Sequence, residues 1–253
     1  SMLFGAFASE APEVKVSVQE ALSLCCGAYT GASEVTKELL MGLLLSSIES
    51  PAHQPRFCAV YWANRLFAFR DVRARYVCLL AIGDPKTEVR DEARKGLEPP
   101  TAPSPGATPG SLLRAEEAEL ARARSEARLP AFEDMVAHLC TPNIAQARRA
   151  APAAVKAAMV TFCIRCLADS CSRAAVSKAA YLAEDGTPLG VLRSGAAARM
   201  QVIVEDALSA ALGGGKGVAD PSLARASLLA LVDLHAARPD VVAGAYGQRL
   251  QWL

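Results

Sequence analysis

The 253 residues carry 27 lysines and arginines against 26 aspartates and glutamates, a net charge of +1 with no block of like charge, so the electrostatic footprint of a nucleic-acid binder is missing. A chain 52% hydrophobic yet only 6% aromatic, rich in Ala and Leu and poor in β-branched runs, reads as helical and argues against a sheet protein. The longest apolar run, Leu39 to Leu45, falls far short of the ~18 residues that span a bilayer, so no membrane insertion is expected.

In chain order, the opening SMLFGAFASEAPE has no basic n-region and reads as no secretory leader. The segment VKVSVQEALSLCCGAYTG follows as a helix that stops between Gly27 and Gly31. Ser33 and Glu34 supply the cap and first-turn acid of the next helix, which completes a hairpin. Its Val35, Leu39 and Leu43, with Leu40, Leu44 and Ile48, form a stripe broad enough to touch two neighbours. Ser50-Pro51 ends it, Pro55 opens RFCAVYWANRLFAF with Ala59, Ala63 and Phe67 on one face, and Asp71 caps the helix after that.

The stretch Asp71 to Leu97 reads as two helices joined by a short turn. Gly83 ends the first, Asp84 is placed as N-cap of the second and Pro85 at its first position. Val89, Ala93 and Leu97 form the apolar stripe of that second helix, with Arg90, Asp91, Glu92, Arg94 and Lys95 pointing elsewhere. The order Asp-Pro, Val-Arg, Glu-Ala and a terminal Leu resembles a HEAT-repeat signature. Internal copies exist: Ala93 aligns with Ala59, 34 residues earlier, and Ala59 with Ala21, 38 residues before that, and Arg56 falls where Arg90 does.

Beyond this point, 99–110 reads PPTAPSPGATPG, five prolines and two glycines in twelve residues, which disfavours helix and strand and reads as a flexible linker. Four arginines and four glutamates interleave in SLLRAEEAELARARSEARL, the pattern of a solvated helix. Pro130 opens AFEDMVAHLCT, and Pro152 opens a helix whose stripe is Val155, Met159, Phe162, Cys163, Cys166 and Leu167. After a turn at Glu184 to Pro188, a helix ends at Leu212 with Met200, Ile203, Ala207, Leu208 and Ala211 inward. Asp220-Pro221 starts a helix with Leu228, Leu231, Val232 and His235 on one face, and Pro239 starts the last one. The organisation expected is a HEAT-repeat segment over 1–98, a Pro-rich linker over 99–110 and a further helical HEAT-like segment over 111–253.

Three candidates for chemistry are weak. Cys163 and Cys166, with Cys171, His138 and Cys140 nearby, have zinc-ligand types, but the two cysteines sit where their helix needs apolar residues and no second CxxC exists. Gly213 to Gly217 around Lys216 lacks both the first glycine and the Ser or Thr of a phosphate loop. His53, His138 and His235 are scattered singly. No catalytic residue, cofactor site or metal site is assigned; the eight cysteines are expected to be reduced thiols.

Taken together, VSVQEALSLCCGAY, ARYVCLLAIGDPKTEVRDEARKGL, LPAFEDMV, IRCLA and Pro239 to Leu253 resemble successive parts of the large HEAT-repeat proteasome adaptor and scaffold family. Members of that family are several-fold longer, so the resemblance implies an internal fragment or a divergent homologue. It further implies an all-α fold, an α-solenoid of HEAT-type helical hairpins coiled as an ARM-repeat-like superhelix. The function implied is a non-enzymatic adaptor that binds the proteasome, tethers its regulatory particle to its core particle and links it to other cellular components. Its place would be the cytoplasm, with the nucleus and endomembrane surfaces reached through partners. The alternatives are another HEAT scaffold, such as a transport receptor or coat adaptor, and a cysteine-dependent metal or redox protein. Which helices meet the partner is unknown from the sequence.

Overall fold

The structure, a computed structural model, describes residues 33–98, 129–176, 194–211 and 221–237, together with residue 17. Ala21, the 99–110 linker, the Gly213 to Gly217 loop and the helix expected from Pro239 lie outside the described residues. Among those described, every regular element is an α-helix. The chain divides into two compact units, 1–128 and 129–253.

Unit 1 contains α1 (Glu34–Ile48), α2 (His53–Leu66), α3 (Val72–Ala81) and α4 (Thr87–Leu97). Short connections force each helix back against its predecessor, and α2 packs on α1, α3 and α4 while α3 packs on α1 and α4. Ser33 caps α1 by accepting from the Thr36 amide at 3.3 Å, and Asp71 caps α3 by accepting from the amides of Arg73 and Ala74. Helix α3 is the centre of the unit: Ala74 through Leu79 are all buried, a helix enclosed on every side. Cys58, Ala59, Val60, Ala63, Val77, Leu79, Val89 and Ala93 have at most a trace of exposed surface, so the small residues of the repeat signature are buried among the helices.

The broad stripe expected on α1 is split. Met41, Leu44 and Ile48 are buried, whereas Val35 and Leu39 are 69% and 73% exposed, because α2 and α3 pack against the other side of the helix. The start of α4 also differs from expectation. It begins at Thr87 with Lys86 at the N-cap position and no side-chain cap, leaving Asp84 and Pro85 in the turn before it.

Unit 2 contains α5 (Phe132–Leu139), α6 (Pro142–Ala150), α7 (Ala153–Val176), α8 (Ser194–Ala211) and α9 (Pro221–Ala237). Helices α7, α8 and α9 pack on one another, and α5 lies against α7 and α8. Val155, Met159, Phe162, Cys163, Cys166 and Leu167 all line the core, as do Met200, Ile203 and Ala207, with Leu208 half-buried. The inward face of α9 is Leu223, Ala230, Leu231 and Leu234; Leu228, Val232 and His235 are exposed, one position round from the face expected.

Candidate functional site

Two joints fasten α2 to α4, and both are built from polar side chains. At the loop end, Arg56 in the first turn of α2 donates from Nη1 to the carbonyls of Ser50 and Pro51, at 2.8 and 2.9 Å. Arg90 does the same one repeat later, donating from Nη1 to the carbonyls of Asp84 and Pro85 at 2.6 and 3.0 Å, with Nη2 on Thr87 Oγ1. Each arginine therefore reaches back six and five residues to tie down the turn preceding its own helix. The 34-residue spacing between Arg56 and Arg90 is also the spacing between the turns they hold.

The remaining edge of Arg56 spans the two repeats. Nε lies 2.6 Å from Asp84 Oδ2 and Nη2 lies 3.1 Å from Oδ1, a bidentate pair in which the two side chains are 13% and 4% exposed. Asp84 itself stands in the turn, two residues before the N-cap position of α4. Its carboxylate is committed to Arg56, and its second role is to accept from the Lys86 amide at 2.8 Å within the turn. Burial pushes the Asp84 carboxyl up, but the Arg56 hydrogen bond, the Lys86 amide and the charges of Arg56 and Arg90 outweigh it and hold the group below its usual range. Arg56 is correspondingly pushed up, chiefly by its hydrogen bond to Asp84.

At the opposite end of the helices, the buried Asn64 of α2 donates from Nδ2 to the backbone carbonyl of Glu92 at 2.8 Å and to its Oε1 at 3.2 Å. Arg65 donates to the same Oε1 at 2.9 Å, and Lys95 lies 3.3 Å from Oε2, so two cations and an amide satisfy a carboxylate that is only 5% exposed. Arg65 also stacks over the Tyr61 ring, 3.3 Å from its centroid. Arg75 of α3, 1% exposed, closes the joint from the third side: it donates to the carbonyls of Ala63 and Gly96, and its guanidinium lies 4.8 Å from the Phe69 centroid. Cys78 donates to Asn64 Oδ1 at 3.2 Å.

Gly96 permits this approach. A Cβ there would lie 2.1 Å from Asn64 Oδ1 and 2.6 Å from Cys78 Sγ. Glu92 is expected outward with its charged neighbours; it is instead buried, because Asn64 and Arg65 reach it from α2, 28 and 27 residues earlier. Nothing in the local sequence pattern marks Asn64 or Arg75 as part of a joint. Gly96 carried the usable signal, since glycine inside a helix costs about 1 kcal/mol relative to alanine and marks a close approach.

Of the repeat-signature residues, Arg56, Asp84 and Arg90 thus meet at one joint, with Pro85 in the turn between them. Ala59, Val89, Ala93 and Leu97 are buried between the helices, and Ala21 lies outside the described residues. The cysteines follow the apolar logic of their positions. Burial pushes the Cys58 thiol up to about 12, eased by a hydrogen bond from Trp62, and burial together with the neighbouring Cys166 and Cys140 raises Cys163 well above the ordinary thiol range. Cys140 is raised as well, by burial, against the charges of Arg148 and Arg199. Among the described residues no three His, Cys, Asp or Glu side chains gather as a metal site, and no helix is long and apolar enough to cross a membrane. What these groups do chemically is hold helices in register: carboxylates engaged by arginines and thiols kept protonated.

Comparison with known proteins gives a family match in the N-terminal part of the chain. Residues 1–81 match the family model described as Proteasome component ECM29, N-terminal. The chain is 39% identical over 95 residues to the human Proteasome adapter and scaffold protein ECM29, an alignment covering 38% of this chain and 5% of that relative. The chain therefore spans a small part of the relative's length. No solved structure matches it. The match falls on the same proteasome adaptor and scaffold family that the sequence segments resemble.

Proposed function

We propose that this chain, Ecm29-like over residues 1–81, is a segment of a proteasome-binding adaptor and acts as a rigid helical scaffold rather than an enzyme. The observation that supports this reading most directly is that the matched residues run through α1, α2 and α3, and that Arg56 within them pairs with Asp84 just beyond them to fix one repeat against the next. A surface whose parts keep a set spacing suits the recognition of a large partner, because little ordering entropy is lost on binding. The finer role we propose is tethering of the regulatory particle to the core particle, in the cytoplasm and, through partners, in the nucleus and at endomembrane surfaces.

Affinity capture from cell lysate with a longer polypeptide containing this segment tests the proposal. Proteasome subunits of both particles are expected in the retained fraction, at higher yield than with the Arg56→Ala, Asp84→Ala variant. Retention of a transport or coat complex without proteasome subunits would assign the chain to a different HEAT scaffold. The cysteine-dependent reading has its own readout: elemental analysis showing about one zinc per chain would favour it.

A further inference from the structure

Helix α6 is attached to unit 2 in an unusual way. Of its nine residues only Arg148 is buried, at 2% exposure, and no apolar side chain of the helix enters the core. Thr141 at its N-cap position makes no capping bond to the helix amides, its hydroxyl donating instead to the Ala137 carbonyl at 3.4 Å, and Ala151-Pro152 separates α6 from α7. Nine residues is below the ~12–15 that an isolated helix needs for even marginal stability, so α6 depends on docking.

Apart from its packing on α5 and the half-burial of Ile144 and Ala145, that docking rests on a charge. Arg148 reaches between α7 and α8, where it lies beside Lys156, Met159, Ile203, Asp206 and Ala207. Its Nη1 is 2.9 Å from Asp206 Oδ2, in a geometry that gives that oxygen no hydrogen bond, and its Nε and Nη2 are buried without a protein partner. The Asp206 side chain as a whole is 27% exposed, although Oδ2 itself is buried. A guanidinium stripped of water with most of its donors unmatched is a weak anchor, because its desolvation offsets much of the ion-pair attraction.

We propose that α6 is a detachable strap, held on unit 2 by the Arg148–Asp206 ion pair and able to lift while α7 and α8 stay folded. Lifting returns Arg148 to water and uncovers Met159, Ile203 and Ala207, an apolar strip edged by the cation of Lys156 and the carboxylate of Asp206. An apolar side chain at 148 would tighten the attachment.

Hydrogen exchange on the full chain, read by mass spectrometry on peptides, tests this. Amides of 145–151 are expected to exchange at least about 100-fold faster than those of 159–167, and without the urea dependence of the latter. Arg148→Met, which keeps length and removes the charge, should slow exchange of α6 by about tenfold, and Asp206→Asn, which strands the buried guanidinium, should speed it by a similar factor. Exchange of α6 and α7 at one common rate would overturn the proposal, as would an Arg148→Met variant whose α6 opens as readily as that of Asp206→Asn.

Discussion

Replacing Gly96 by alanine sets two opposite effects against each other. In an open helix this change gains about 1 kcal/mol, since alanine loses less backbone entropy than glycine. At position 96 the added methyl would fall 2.1 Å from Asn64 Oδ1, 2.9 Å from Asn64 Cγ and 2.6 Å from Cys78 Sγ, where ordinary carbon contacts need about 3.5–4.0 Å. Asn64 cannot retreat freely. Its amide is held by the carbonyl and carboxylate of Glu92, and its oxygen receives Cys78. Overpacking of this kind costs about 1–3 kcal/mol, and a buried polar group pushed off its partner adds about 1–3 kcal/mol more. After subtracting the helix gain, Gly96→Ala should destabilise unit 1 by about 3 kcal/mol, a fall of roughly 10–20 °C in the midpoint of a domain of this size. Thermal unfolding followed by far-ultraviolet circular dichroism measures it. Adding Asn64→Ser should recover part of the loss if the clash is its source. A Gly96→Ala protein melting at or above the parent temperature would refute the close approach of α2 and α4.

Three further outcomes are expected. Arg56→Ala, Asp84→Ala and the double variant should be clearly non-additive, with a coupling of about 1–3 kcal/mol, and the coupling should be present above about pH 4 and disappear as the pH falls below it, because the folded Asp84 carboxyl titrates below its unfolded value; additive melts at neutral pH would remove the pair. Ala93→Arg should be among the most damaging single changes in unit 1, about 3 kcal/mol or more, since position 93 has no exposed surface; an unchanged melt would break the repeat alignment. The Pro-rich 99–110 stretch should be cut first in limited proteolysis, releasing fragments that end there, and first cleavage inside α2 or α3 would contradict the division of the chain expected from its sequence.

Much of the backbone plan could be read from local pattern because short-range forces set it. Apolar spacing located α1 to α4 and α7, Ser33 and Asp71 cap where their positions indicate, and the 34-residue interval from Ala59 to Ala93 marks equivalent buried sites. The joints were less legible, since each depends on a partner 28 residues away. Asp84 has the chemistry of a cap, but α4 starts two residues beyond Pro85 and the Asp84 carboxylate instead holds Arg56 and the Lys86 amide. Glu92 sits among charged neighbours that are indeed exposed, and nothing local distinguishes it from them. Face assignments failed where an apolar stripe was broader than the surface available to cover it, as at Val35 and Leu39 on α1 and at Leu228 and Val232 on α9.

The two joints share one arithmetic. Arg56 meets Asp84 and Asn64 meets Glu92, each 28 residues on, so the pins lie eight residues apart along α2, a lever arm of about 12 Å at 1.5 Å per residue. A single pin would leave α4 free to swivel about it. With two, any rotation of α4 across α2 must stretch one ion pair or pull a buried amide from its carbonyl, and a slide by one helical turn must break both at once. Bending between these repeats is therefore elastic over small angles and stops abruptly. A pull applied at one repeat is passed to the next as displacement instead of being lost in slack.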